Sequence, residues 1–397
     1  MRIRKTNLKI GGVLLAAMLL CASLFGLGKV SAKAATATPI DMYLIAGQSN
    51  AAGYSLLSRG YSSLTNTTGN TVSGTYRNVW YGGEVNRLLS GVAEENNGYS
   101  WLRTSTFKKS VTTGYGKTGS HIGPEFGMAE ALNSHYAGDT KAFIFKSAAG
   151  GTALNDRNDG ESGKYGNWYP RSLWSSHNNT ATGVQYKSFV NNFETVYTEL
   201  KKIGYAPRVR AMIWMQGEND LNPVYLAGYA DLLKTFIADI RADLVSITAD
   251  NTLAEMPFII GEVALTFSVF NHETTGAMVA TQRQVASEVV NAYTVDTHDL
   301  IINRDNGSGA NEIVGTDQYH WSAPDMRVLG NRFGETALAH LLEVPEGGDS
   351  GDENPEGVDS TKKGCRSSLS LAGGAAVAGA LVAGAAVALV ARKRKQK

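Results

Sequence analysis

Short apolar runs alternate along this chain with longer stretches of helical period. Met42–Ala46, Ala142–Ser147, Val209–Met215, Phe258–Val263 and Tyr293–Asp296 are compact apolar runs that end at glycine or polar residues, and each predicts a strand. Between them, Gln185–Ile203 puts Phe189, Phe193, Val196, Tyr197 and Leu200 on one helical face, and Tyr225–Leu244 and Met278–Val290 also fit helices. A last helix is predicted over Asp325–Leu342, opened by Ser322-Ala323-Pro324. Strands buried on both faces read as continuous apolar runs. The alternation therefore predicts an α/β domain with a parallel sheet covered by helices on both sides.

Two stretches break the rhythm. Residues 53–120 are rich in Gly, Ser, Thr, Asn and aromatics without sustained period, and predict a long ordered insertion over the carboxyl edge of the sheet. Residues 155–182 are similar, with Tyr165, Trp168, Tyr169 and Trp174 set among polar residues.

The ends of the chain carry other signals. Met1-Arg2-Ile3-Arg4-Lys5, an apolar stretch from about Gly11 to Leu27 and then Ala32-Lys33-Ala34 predict a secretory signal over 1–34, an uncleaved N-terminal anchor being the alternative. Residues 35–343 form the predicted catalytic domain, and the acidic Gly/Pro-rich 344–368 a flexible stalk. Leu369–Ala391 is uncharged and apolar, and the basic tail of 392–397 follows at once, which predicts a transmembrane helix rather than a buried core helix. The expected location is the outer face of a bacterial cell membrane.

The formal charge of +1 hides an acidic domain. Six basic residues lie in 1–34, and eight basic and six acidic ones in 344–397, so residues 35–343 hold 23 basic and 30 acidic side chains. That balance argues against a nucleic-acid partner. Cys21 and Cys365 are the only cysteines and both fall outside 35–343, so the domain relies on its apolar core.

Four constellations can carry chemistry. First, Gly47-Gln48-Ser49-Asn50 ends the first apolar run and leaves a serine at a strand-to-helix turn, the place for a nucleophile in an open α/β sheet, though such a serine also serves as a helix N-cap. Second, Ala149-Gly150-Gly151-Thr152 follows another strand and lets backbone amides approach a ligand, or simply makes a tight turn. Third, Gln216-Gly217-Glu218-Asn219-Asp220 follows Val209–Met215, where the neutral amide of Gln216 can donate to developing negative charge; Asp220 or Asn222 caps the next helix. Fourth, Asp317-Gln318-Tyr319-His320 supplies an acid and an imidazole three residues apart in a polar loop, so Ser49, His320 and Asp317 can be read as one catalytic set. Asp296-Thr297-His298-Asp299 is a rival acid and histidine pair. No histidine spacing suggests a metal site, and no cofactor is implied.

In this order the four blocks resemble the SGNH (GDSL-like) hydrolases, in the branch of sialate O-acetylesterase-like proteins and family 6 carbohydrate esterases, over roughly residues 40–342. Ala51 and Asn219 depart from the residues frequent there, Met and Ser. The resemblance implies a flavodoxin-like three-layer α/β/α sandwich and a carboxylic ester hydrolase that removes acetyl groups from carbohydrate hydroxyls. The expected mechanism has His320, oriented by Asp317, take the proton of Ser49 as it attacks the acetyl carbonyl. The oxyanion would meet the amides of Ser49 and Gly151, or Gly150, and the Gln216 side chain. Glu218, Gly150 and Asn50 would support the site. Trp80, Tyr81, Trp101, Trp168, Tyr169 and Trp174 are candidates for a sugar-stacking rim. A surface glycan-binding or adhesion protein and a short-chain lipid esterase are the rival readings.

Overall fold

The computed structural model describes residues 37–57, 72–90, 99–138, 140–177, 179–265, 271–300 and 319–341. The expected signal, stalk, membrane segment and basic tail lie outside these residues, as does Asp317. Among the described residues no helix is long and apolar enough to cross a membrane.

In chain order the main elements are β1 (Thr38–Gly47), α1 (Ser49–Ala52), β2 (Val79–Val85), β3 (Ser100–Trp101), α2 (Pro124–His135), β4 (Lys141–Ala148), α3 (Gly160–Tyr165), α4 (Val184–Lys202), β5 (Tyr205–Met215), α5 (Pro223–Thr248), β6 (Phe258–Gly261), α6 (His272–Glu288), β7 (Ala292–Val295) and α7 (Ala323–Ala339). The sheet runs β7-β6-β5-β1-β4-β2-β3, parallel throughout except for the short antiparallel β3 at one edge. It is a three-layer α/β/α sandwich. β1 shows how the sequence dictates the layers: Ile40, Met42, Leu44 and Ala46 enter the core beneath α4, α5 and α6, while Tyr43 and Ile45 enter the core shared with α2 and α7. Each such large aliphatic residue contributes about 1.5–3 kcal/mol on burial, which drives a central strand apolar on both faces.

Among the elements that the apolar pattern does not announce are β2 and α2. β2 lies inside residues 53–120, so that stretch is part insertion and part sheet; glycines 82 and 83 interrupt the pattern of the strand. α2 packs against α7 so closely that a Cβ on Gly127 would lie 1.9 Å from the Arg327 carbonyl oxygen, and one on Gly330 would lie 2.2 Å from that of Pro124. Its contact face is built from small residues rather than from a stripe of large ones. At the start of α5 the cap is Asn222, whose side chain accepts from Val224 N–H, with Pro223 in the first turn. Ser322 caps α7 by accepting from Asp325 N–H at 3.3 Å.

A fully buried ion pair ties the first loop to the sheet. Lys146 Nζ on β4 donates to Glu125 Oε2 at 2.7 Å, to the Ala52 carbonyl at 3.0 Å and to the Tyr115 carbonyl at 2.9 Å, and Glu125 Oε1 accepts from Gly123 N–H at 2.9 Å. Removing one partner strands a charge in an apolar interior. Lys146→Met is therefore expected to lower stability by about 3–5 kcal/mol in urea unfolding, and a loss below about 1 kcal/mol would refute the role given to the pair.

Candidate active site

Three strands end side by side at one edge of the sheet, and the loops that leave them form the floor of a cleft. At the end of β1, Gly47 has φ +135°, and a Cβ there would lie 2.0 Å from the Met215 carbonyl oxygen. Only glycine fits. Gln48 N–H donates to that same Met215 oxygen at 2.9 Å, and α1 begins at the next residue, Ser49. The Ser49 amide thus belongs to a first helical turn, whose N–H groups have no intrahelical acceptor.

The loop after β4 is joined to the first by Ala149 N–H, which donates to the Gly47 carbonyl at 3.2 Å. Gly150 N–H donates to Asn86 Oδ1 at 2.9 Å, while Gly151, at φ +65°, turns the chain over the cleft. The loop after β5 carries Glu218, Asn219 and Asp220 in a short 3₁₀ turn. Asn219 N–H reaches Gln48 Oε1 at 3.2 Å, and its side-chain amide donates to the Gly151 carbonyl. The three loops are thereby bonded to one another.

The cleft has a volume of about 540 Å³, within the range of small-molecule sites, and its lining includes Ser49, Gly150, Gly151, Glu218 and His320. The structure therefore brings together residues that lie far apart in the chain. Ser49 is nearly buried, and the ring of His320 packs against that of Tyr54 at a centroid separation of 4.8 Å. Asn50, fully buried, donates to Glu218 Oε1 at 2.8 Å and to the Tyr319 carbonyl at 3.3 Å, so it spans the loop of the serine and the loop of the histidine. Burial pushes the Glu218 carboxyl above the usual glutamate range, opposed by hydrogen bonds from its own backbone and Asn50 and by the nearby His320.

Residues 39–339 match the family described as "Carbohydrate esterase, sialic acid-specific acetylesterase". The chain belongs to this family. It is a carboxylic ester hydrolase. No curated protein sequence matches it. Among solved structures, a protein from Arabidopsis thaliana is similar at 16% identity and TM-score 0.48, with 77% of this chain and 100% of that chain covered. NanS is similar at 15% identity and TM-score 0.49, covering 77% and 98%, and a carbohydrate acetylesterase from Xanthomonas citri at 14% and 0.46, covering 76% and 57%.

Within the esterase, Gln216 stands apart from its expected place. Its side-chain N–H groups donate to the Thr152 carbonyl and to Asp220 Oδ2, its oxygen accepts from Tyr229 OH, and it is fully buried away from the cleft lining. The amide is spent on holding loops together, which corrects its assignment as an oxyanion donor. Asp220, also expected as a possible helix cap, accepts instead from Leu154 N–H, Asn155 N–H and the Asn155 side chain, and so fastens the glycine loop to the loop after β5. Burial raises its carboxyl against these bonds.

The expected aromatic rim is corrected too. Trp168 is fully buried, with its ring centroid 5.3 Å from that of Trp214 and its indole N–H on Thr152 Oγ1. Tyr81 is fully buried, and Trp101 and Tyr169 nearly so. Trp80 pairs with Phe143, five strand positions from the level of Val85 and Ala148, about 16 Å down the sheet from the cleft. Trp174 packs on Tyr186 and donates to the Tyr169 carbonyl. The aromatic side chains that do line the cleft are Tyr54, Tyr165 and Tyr319, joined by Lys117, Lys164 and Glu161. Apart from Tyr319, which stands in the acid-base block, these residues come from the irregular stretches, where no period distinguishes a lining residue from a packing one.

The rival histidine is occupied elsewhere. His298 Nε2 lies 3.2 Å from Glu262 Oε2 and Nδ1 lies 3.1 Å from Asp296 Oδ1. These three residues form the one group among the described residues with the spacing of a metal site. Arg283 already donates to both Glu262 oxygens, at 2.7 and 2.9 Å, supplying the positive charge that an ion would bring.

A core role for Trp168 separates from a sugar-binding one by experiment. Trp168→Ala is expected to cost about 3–5 kcal/mol of stability. Trp168→Phe should leave KM for a small acetyl ester within about twofold, since the ring touches no substrate; a large rise in KM with unchanged stability would return it to the rim.

Proposed function

We propose that the protein is a serine O-acetylesterase acting on acetylated carbohydrates outside the cell through an acetyl-serine intermediate. The observation that supports this most is the meeting of Ser49 and His320 in one cleft, over a glycine loop, in a chain of the acetylesterase family. His320 takes the proton of Ser49 as its Oγ attacks the acetyl carbonyl. The sugar oxygen leaves with that proton, and water then cleaves the acetyl-serine by the same route in reverse. Asp317 orients the imidazole in this reading, on the strength of its spacing from His320.

The oxyanion is assigned to the amides of Ser49 and Gly151. Gly150 N–H is engaged by Asn86, and the Gln216 amide by Asp220 and Thr152, which leaves Gly151 as the glycine of the pair for this task. The polar lining of the cleft, with Gln48, Lys117, Glu161, Lys164 and Asn219, suits a sugar residue carrying a small acyl group better than a long acyl chain. A location on the outer face of a bacterial membrane follows from the signal-like 1–34 and the apolar 369–391 with its basic tail.

Acetate release from a panel of acetylated glycans and sialosides tests the reading. Ser49→Ala is expected to lower kcat by about four orders of magnitude or more, and Asp317→Asn by about 10⁴. Full activity in Ser49→Ala would reject the nucleophile. Faster hydrolysis of octanoyl than of acetyl aryl esters would favour a lipid substrate, and sugar binding without acetate release an adhesion protein.

A further inference from the structure

Two oxygens beneath the cleft floor have no hydrogen-bond donor among the described residues, Asn50 Oδ1 and Glu218 Oε2. They belong to one pair of side chains, already joined by Asn50 Nδ2 donating to Glu218 Oε1 at 2.8 Å. The other hydrogen of the Asn50 amide is directed to the Tyr319 carbonyl at 3.3 Å. Asn50 is 0% and Glu218 6% exposed, so water does not readily supply what is missing. An ionised carboxylate is an acceptor only, and leaves both oxygens unsatisfied. One proton on Glu218 satisfies both. The acid O–H then donates to Asn50 Oδ1 while the amide N–H donates back to Glu218 Oε1, the closed ring that a carboxylic acid makes with a primary amide.

The geometry points to Glu218 as a neutral carboxylic acid, doubly hydrogen-bonded to Asn50, acting as a positioning residue that sets the serine turn against the histidine loop. This rests on the reading of Ser49 and His320 as the reacting pair. Asn50 follows Ser49 in the chain and holds the carbonyl of Tyr319, which precedes His320, so the orientation of one amide relates the two groups. The protonated form is favoured first by burial and then by the negative charge of Asp220, and opposed by a hydrogen bond from its own backbone, by the Asn50 bond and by His320; the phenol of Tyr229, on α5, feels the charge of both acids. A neutral Glu218 also adds no second anion beside the imidazole that Asp317 orients in that reading.

The sign of the pH effect follows. The folded-state pKa of Glu218 lies above its unfolded value, so its contribution to stability is full below the ordinary glutamate range and is lost as pH rises through the raised folded value. Activity falls over the same rise.

Infrared difference spectra of the full protein at neutral pH, parent minus Glu218→Gln, test the protonation without substrate. The expected result is the carbonyl stretch of a protonated carboxylic acid in the parent alone; its absence overturns the proposal whether or not the acetylesterase reading stands. For activity, Glu218→Leu should lower kcat by about tenfold or more through misplacement of the two loops. Glu218→Gln, whose amide can close the same ring, should recover kcat to within about threefold of the parent and remove the alkaline fall. A loss of about 100-fold in Glu218→Gln would show instead that a charged carboxylate is required.

Discussion

The site depends on a backbone ladder that runs one step beyond the strands themselves. Gln48 N–H bonds to the Met215 carbonyl and Ala149 N–H to the Gly47 carbonyl, so the loops leaving β5, β1 and β4 depart in fixed register. Gly47 makes this approach possible, since any side chain there would collide with the neighbouring strand. Because the strands are parallel, their carboxyl ends share one edge, and side chains from distant parts of the chain emerge over the same cleft.

Irregular loops need support that their own backbone cannot supply. Here it comes from charged groups taken out of water with nearly complete sets of partners. Lys146 reaches from β4 to the end of the turn that carries Ser49 and to the insertion, while Asp220 gathers amides from the glycine loop and the Gln216 side chain. Burying such groups is costly unless each bond is made, and that demand gives the loops a single arrangement. The Asn50 and Glu218 pair belongs to the same layer of support and joins the turn of Ser49 to the loop after β5.

Ser49 and His320 both stand at element boundaries that the sequence marks, and both line the cleft. Ser49 follows a strand because an apolar run ends there in Gly47-Gln48, and His320 precedes a helix whose Ser and Pro start is explicit. Gln216 looked equally plausible at its strand end. Its amide nevertheless turns away from the cleft because Asp220, four residues on, and Thr152 claim it. The tryptophans misled for a related reason: a large ring in a polar stretch serves a core as readily as a sugar, and Trp168 completes the cluster around Trp214 and Phe236.

By itself the sequence determined the layered α/β architecture, the main strands and the order of the chemical blocks, because period, caps and strand-end glycines are local properties. Tertiary structure decided what depends on partners far along the chain. β2, with its paired glycines, becomes a strand only through pairing with β4, and α2 is shaped by close contact with α7 rather than by an apolar stripe. The pairing of Asn50 with Glu218 spans 168 positions, and no periodicity carries information over that distance. Burial, and with it the protonation of a carboxyl group, is a property of the packed molecule alone.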